Sequence, residues 1–266
     1  INSIPLKILS TLLVYIQSII RRYTEIVIRK ILNYSPGKRL TLGDKKIKEQ
    51  LSKISNSEYL LDALKVITAY GNNNTHTQNP TQVTKHDFDK AADKLFDIYA
   101  FLLINYFEAY EFGTRNDVMY SFSFLPPVIR EKVLSFLYKK DSTNIAVIDK
   151  LVLAKLKCYN LDVAMEWVEE KKEKLLQLNT ISKKAFNEME KEYGTEFVEM
   201  LQSNMYECCL DKVSKVNEYI RHGGIQYLDF ESALPFYNKK GRINSVEKEI
   251  EEFNNIMTFF YIGRKE

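Results

Sequence analysis

Apolar side chains recur every three or four residues through most of the chain, a spacing that predicts amphipathic helices. In the first half this pattern predicts four helices, at residues 5–34, 41–54, 57–70 and 84–112. Pro36 and Gly37 end the first helix, because proline cannot continue a helix and glycine favours a turn. Thr84 and Asp87 have the spacing of a capping box, which marks the start of the fourth helix.

The second half continues the helical pattern after a polar stretch at residues 113–117, where we place a domain border. We therefore expect one helical domain at residues 1–112 and a second helical domain at residues 113–266. Two helices of the second domain are expected to divide near Asn160, and residues 181–221 are expected to form one or two more.

Two stretches near the end of the chain are distinct. "GGIQYLDFE", which starts at Gly223, is the only stretch expected to be extended, because its two glycines interrupt the helical pattern. A closing amphipathic helix is predicted after it, with one apolar stripe made of Val246, Ile250, Phe253, Ile256, Met257 and Phe260.

Composition supports an all-α protein with a sizeable core. Of 266 residues, 45% are hydrophobic and 27% are charged, and only 9 Gly and 6 Pro interrupt the helices. The most apolar run, residues 4–20, is interrupted by polar side chains and is shorter than the ~20 residues that span a membrane. We expect no membrane segment.

The cysteines and acidic residues indicate no metal or cofactor. The 3 cysteines, Cys158, Cys208 and Cys209, lack metal-ligand spacing and are expected to be buried, reduced thiols of a cytoplasmic protein. No nucleotide-binding fingerprint and no catalytic triad stands in the chain. We therefore expect neither a metal nor a cofactor.

Charge is nearly balanced overall, so only a local patch indicates a polyanionic partner. The 38 basic and 35 acidic side chains leave a net charge of +3. Basic side chains cluster from the first helix to the second and predict one basic face, formed by Arg22, Lys38, Arg39, Lys45 and Lys46. Such a face, with tyrosines nearby, suits RNA phosphates and bases. The alternative is an ordinary solvated helix exterior.

The stretch from Gly71 to His76, "GNNNTH", separates the third and fourth predicted helices. Together with "LGDKKIKEQL" before it and "TKHDFDKA" after it, this element resembles a HEPN-related domain of bacterial restriction and defence operons. In that family a helix ends in a Gly-Asn-x-x-x-His element. The resemblance covers residues 10–110 and leaves the second half unassigned.

The resemblance implies a four-helix bundle that dimerises and contacts RNA. It assigns His76 and Asn72 as the candidate catalytic residues of a metal-independent endoribonuclease. Histidine is suited to proton transfer near neutral pH, and HEPN ribonucleases add an arginine that stabilises phosphate charge. Here Gly71 stands at the arginine position, so a replacement cation such as Lys65, Lys85 or a residue of a partner chain is required.

Three roles for His76 remain open at this point: it stops the helix, it contacts RNA, or it takes part in cleavage. The first hypothesis for the whole protein is an RNA-binding, HEPN-like component of an antiviral or toxin–antitoxin system, with a second copy or an operon partner. The second hypothesis is a non-catalytic helical scaffold within a larger complex. A third places an unrecognised site in the second half, between Arg221 and Glu231.

Overall fold

The protein is helical throughout the part of the chain that the structure describes. The computed structural model describes residues 6–35, 37–72, 84–181, 183–201 and 203–263. These residues contain no β-strand, and only an isolated bridge joins Asn179 to Asn204. The predicted all-α class is confirmed. The HEPN-like four-helix bundle stays a prediction.

The helices follow one another with short connections. In chain order they are α1 (Leu6–Ile31), α2 (Lys45–Leu51), α3 (Ser57–Asn72), α4 (Lys85–Ala109), α5 (Asn116–Phe122), α6 (Pro127–Lys140), α7 (Ile145–Cys158), α8 (Leu161–Glu170), α9 (Lys172–Leu176), α10 (Lys183–Tyr193), α11 (Thr195–Leu201), α12 (Met205–Arg221), α13 (Phe230–Phe236) and α14 (Lys248–Tyr261). A π-helical turn, Tyr237–Gly241, lies between α13 and α14.

Backbone proximity divides the chain into two compact units. Unit 1 comprises Ile1–Ala109 together with Asn255–Glu266, and unit 2 comprises Tyr110–Asn254. Unit 1 therefore contains α1 to α4 and the second half of α14. The two domains predicted from the sequence, at residues 1–112 and 113–266, stay a prediction.

Helix α4 forms the centre of unit 1, where it packs against α1 and α3. Every side chain at positions 98–104 is buried, so this segment is apolar on all sides and not on one stripe only. Asp97 is buried beside it and accepts a hydrogen bond of 2.9 Å from the Tyr59 hydroxyl. Lys94 lies 3.1 Å from the same carboxylate group, so the buried charge is compensated.

The first helix ends before the proline and glycine that were expected to end it. Helix α1 stops at Ile31, and Asn33 adopts a left-handed conformation with φ of 51°. The backbone N–H of Tyr34 then donates to the carbonyl oxygen of Arg29 at 2.9 Å, which is the closing bond of a Schellman motif. Asparagine tolerates this conformation better than most residues, and so the left-handed Asn33 terminates the helix that ends at Ile31.

The core of unit 2 lies between α7, α8, α9 and α12. Its fully or almost fully buried members are Ile148, Val152, Leu156, Ala164, Val168, Leu175, Met205, Cys209 and Val213. Trp167 is half-buried against this cluster and meets the Tyr138 ring edge-on, with ring centroids 5.2 Å apart. Burial raises the pKa of the Cys209 thiol to about 12, which keeps it protonated at neutral pH. Cys158 and Cys208 are half-buried, and none of the three forms a disulfide.

Three expectations about the second half differ from the structure. Residues 181–221 contain three helices and not one or two, because Gly194, with φ of 84°, separates α10 from α11. The stretch from Gly223 forms no strand, and its last two residues, Phe230 and Glu231, begin α13. Val246 is fully exposed and precedes α14, whereas Ile250 and Phe253 of the same predicted stripe are buried.

No helix among the described residues has the length and apolar character needed to cross a lipid bilayer. This includes α1, which holds the most apolar run of the sequence.

The predicted capping box at the start of α4 is confirmed. The Asp87 carboxylate accepts from the backbone N–H of Thr84 at 3.0 Å, and the Thr84 hydroxyl oxygen accepts from the backbone N–H of Asp87 at 3.2 Å. The Thr84 hydroxyl also donates to that carboxylate at 2.6 Å. The hydrogen bond from the Thr84 hydroxyl, and after it the one from the Thr84 backbone N–H, hold the pKa of Asp87 below its ordinary value of 3.8.

Thr84→Ala is expected to lower the free energy of unfolding by about 1 kcal/mol at neutral pH, because it removes the cap. A depressed carboxylate pKa stabilises the fold above the unfolded-state value, and this contribution is lost as pH falls through the folded-state pKa. The difference between wild type and variant should therefore shrink below pH 3.8. Urea denaturation across this range measures it, with Thr41→Ala, an exposed threonine, as the control. Equal effects of the two substitutions would contradict the capping role.

Candidate nucleic-acid interface

The Gly71-to-His76 element begins at the end of α3, which extends through Asn72, two residues beyond the predicted helix. His76 lies outside the described residues, so its role stays a prediction, as does that of the Asn72 side chain. The end of α3 is held by Gln17 of α1, whose buried side-chain amide donates a hydrogen bond to the carbonyl oxygen of Tyr70. Burial and the nearby Asp87 carboxylate raise the pKa of the Tyr70 phenol.

The five residues of the predicted basic face lie on α1, on the connection to α2 and on α2 itself, and all five are exposed. The five are Arg22, Lys38, Arg39, Lys45 and Lys46. The Lys38 ammonium lies 3.5 Å from the centroid of the Tyr34 ring, a cation–π contact that leaves the charge at the surface. The Tyr34 hydroxyl in turn donates to the Gln50 side chain of α2 at 2.5 Å.

Helix α2 starts at a fixed position because the Asp44 carboxylate caps it. This carboxylate accepts a hydrogen bond of 2.9 Å from the backbone N–H of Lys46. Ile47 and Leu51 are buried, which fixes the rotation of α2. Lys45 and Lys48, three residues apart on one face of the helix, are therefore presented together.

The structure brings Lys45 and Lys48 together with Lys65 of α3 around one open cleft. This cleft, which we call the lysine cleft, has a volume of about 390 Å³. Its remaining lining residues are Glu49, Ser52, Leu61 and Leu64. Among the five residues of the predicted basic face, only Lys45 lines it. Sequence reasoning missed Lys48, although its spacing from Lys45 was visible, and named Lys65 only as a replacement cation.

The lysines of the cleft form only one ion pair among the described residues, and that pair is exposed. Lys45 and Glu49 are 3.8 Å apart, but their side chains are 90% and 59% exposed, so this ion pair is weak. No ion pair joins Lys48 or Lys65 to a carboxylate elsewhere in the described chain. Asp62, one turn before Lys65 on α3, is bound by Lys94 at 2.8 Å, and this hydrogen bond lowers the pKa of Asp62. The cleft is thus a local positive site on a nearly neutral protein.

The third hypothesis, a site between Arg221 and Glu231, stays a prediction. Arg221 and His222 line a cleft at the end of α12, whereas Asp229 caps α13 and accepts from the backbone N–H of Ser232 at 2.7 Å. Glu231 lies in the first turn of α13. Within the described residues, no group of three or more His, Cys, Asp or Glu side chains is arranged to hold a metal ion.

Comparison of the chain with models of protein families, with curated proteins and with solved structures finds no match. A functional assignment therefore depends on the geometry and charge of the two clefts.

Proposed function

We propose that this protein is a HEPN-like module of a bacterial defence system and that it binds RNA through the lysine cleft. The observation that carries this proposal is the convergence of Lys45, Lys48 and Lys65 on one cleft, where neither Lys48 nor Lys65 forms an ion pair within the described residues. Unpaired lysines at an open surface suit the phosphates of a flexible single strand, because they act as point charges on mobile stems.

The basic residues outside the cleft extend the surface that a strand can follow. Arg22, Lys38 and Arg39 precede the cleft in the chain, and Lys38 and Arg39 are exposed. The Tyr34 ring, under the Lys38 ammonium, supplies an aromatic side chain in the same connection between α1 and α2. Basic side chains interleaved with aromatic rings support sequence-tolerant binding of single strands.

Cleavage is a separate question from binding, because it depends on His76. Lys65 precedes Gly71 by six residues in α3, which is about 9 Å along the helix axis. We propose Lys65 as the cation that replaces the arginine of the related ribonucleases. RNA cleavage that is lost in His76→Ala supports a catalytic role for the histidine, and binding without cleavage in both proteins supports a binding module.

The test of RNA binding uses the double variant Lys48→Ala/Lys65→Ala and a single-stranded RNA oligonucleotide. In a plot of the logarithm of the binding constant against the logarithm of the salt concentration, each phosphate contact contributes about 0.7 to the steepness of the slope. The double variant loses two contacts, so its slope should be less steep by about 1.4. At a salt concentration of about 0.1 M this corresponds to a loss of roughly 25-fold in affinity. Fluorescence anisotropy over a series of salt concentrations measures both quantities.

The matched control is Lys53→Ala/Lys191→Ala, which removes two exposed lysines outside the cleft. It changes the net charge equally, so it should lower the affinity by less than about threefold. Absence of RNA binding by the wild type, or equal losses in the two double variants, would refute the proposed function.

A helical interaction protein is the second candidate, favoured by a set of exposed apolar side chains in unit 2. Tyr193, Phe197 and Leu201 are 54%, 47% and 49% exposed and recur every four residues across α10 and α11. Exposed apolar clusters of this kind mark surfaces that bind other proteins. This candidate predicts that the cleft variant and the control variant behave alike in the RNA experiment.

A further inference from the structure

A second cleft lies in unit 2, where the C-terminal end of α12 meets the start of α8. Its volume is about 430 Å³, within the range of sites for small molecules. Four lining residues, Ser214, Asn217, Glu218 and Arg221, recur at three- and four-residue spacing and so share one face of α12. His222 and Leu161 complete the lining. We call it the α12 cleft.

The polar side chains of this face are not engaged within the protein. Among the described residues, no hydrogen bond or ion pair involves the side chain of Ser214, Asn217, Glu218 or Arg221. Glu218 and Arg221 are three residues apart on a helix, where opposite charges commonly pair, yet they form no ion pair with each other. The α12 cleft therefore presents one anion and one cation that are both open to a ligand.

His222 adds a ring nitrogen to the lining of the cleft. Its Nδ1 atom lies 2.8 Å from the carbonyl oxygen of Glu218. A carbonyl oxygen only accepts hydrogen bonds, so Nδ1 carries a proton in this contact. In the tautomer whose single proton is on Nδ1, Nε2 is an acceptor. The lining thus holds two acceptors, the Glu218 carboxylate and Nε2 of His222, and donors on Arg221, Asn217 and Ser214.

We propose that the α12 cleft binds a free α-amino acid as its zwitterion. Arg221, with Asn217 and Ser214, receives the carboxylate of the amino acid, and Glu218, with His222, receives its ammonium group. The planar guanidinium matches a carboxylate with two parallel hydrogen bonds. The Glu218 carboxylate disfavours phosphate groups, and the described lining contains no Phe, Tyr or Trp ring on which a nucleobase stacks. This proposal does not depend on RNA binding.

The affinity is expected to be weak. Glu218, Arg221 and His222 lie at an open surface, and exposed ion pairs contribute little to binding. A Kd of about 1 mM is therefore expected for a small amino acid. Such an affinity suits a protein that responds to abundant free amino acids.

The experiment titrates the full chain, labelled with ¹⁵N, with L-alanine, propionate and L-alanine methyl ester, and follows amide chemical shifts. Propionate lacks the ammonium group and the methyl ester lacks the carboxylate, so each is expected to bind about two- to fivefold more weakly than alanine. Arg221→Gln should abolish the advantage of alanine over the ester, and Glu218→Gln should abolish its advantage over propionate. Lys215→Gln, on the same helix but outside the lining, should behave as the wild type.

Three outcomes would overturn the proposal. The first is the absence of alanine-dependent shifts for residues of the cleft in the wild type. The second is equal affinity for propionate and alanine, which identifies a simple anion site. The third is tighter binding of inorganic phosphate than of alanine. Because RNA is absent from this titration, none of these outcomes bears on the lysine cleft.

Discussion

Phe101→Ala is expected to lower the free energy of unfolding of unit 1 by about 3–5 kcal/mol. Phe101 lies in the part of α4 that is buried on all sides, and its side chain has no exposed surface. Truncation removes apolar contacts and leaves a cavity, because the packed side chains of α1 and α3 close it only in part. Urea denaturation followed by circular dichroism measures the loss.

The matched control for this prediction is Tyr15→Ala in α1, which also truncates an aromatic residue of unit 1. The Tyr15 side chain is 63% exposed, so its loss should change stability by less than about 1 kcal/mol. A loss below about 1.5 kcal/mol for Phe101→Ala, or equal losses for the two substitutions, would show that α4 is not the centre of the core.

Lys155→Met is expected to destabilise unit 2 by about 3–5 kcal/mol. The ammonium of Lys155, on α7, lies 2.9 Å from the Glu131 carboxylate of α6, and the two side chains are only 14% and 11% exposed. The Ser135 hydroxyl donates to the same carboxylate oxygen at 2.7 Å. Methionine keeps the apolar stem but removes the ammonium, so a nearly buried carboxylate loses its counterion.

Two further variants separate the buried charge from the lost packing. Glu131→Gln/Lys155→Met removes both charges and should recover more than half of the lost stability. Lys215→Met breaks an ion pair of similar length, since the Lys215 ammonium lies 2.7 Å from the Asp211 carboxylate. These two side chains are 73% and 56% exposed, so the substitution should lower the free energy of unfolding by less than about 1 kcal/mol. Lys155 is not required as the counterion of Glu131 if the double variant is as unstable as Lys155→Met. The same conclusion follows if Lys155→Met lowers stability as little as Lys215→Met.

Local signals predicted the helix boundaries well where one side chain determines them. The Thr84–Asp87 capping box is present, and the two helices divide at Asn160, whose side chain caps α8. Side-chain caps act within one helical turn, so the sequence alone contains the information. Boundaries set by backbone conformation were missed, as at Asn33 and Gly194, because either residue is also compatible with a helix.

The sequence predicted that α2 presents basic residues to solvent, but it did not predict the lysine cleft. Exposure of Lys45 and Lys46 follows from the apolar spacing of Ile47 and Leu51 on the same helix. The approach of Lys65 depends on the packing of α2 against α3, which no local pattern encodes. The α12 cleft was missed for the same reason. The spacing of residues along α12 shows which of them share a face, but it does not show that Leu161 of α8 lies against that face.

Unit 1 is built from two separate segments of the chain, and this has a consequence for the order in which the protein folds during synthesis. This unit includes residues from both ends of the described chain, and the Tyr99 ring of α4 packs against Phe259 and Phe260 of α14, with centroids 6.3 and 5.6 Å away. A ribosome makes α14 after nearly all of unit 2. Unit 2 is continuous and can fold while the chain is still being made. Unit 1, although its first helices emerge earlier, completes its core only after α14 has left the ribosome.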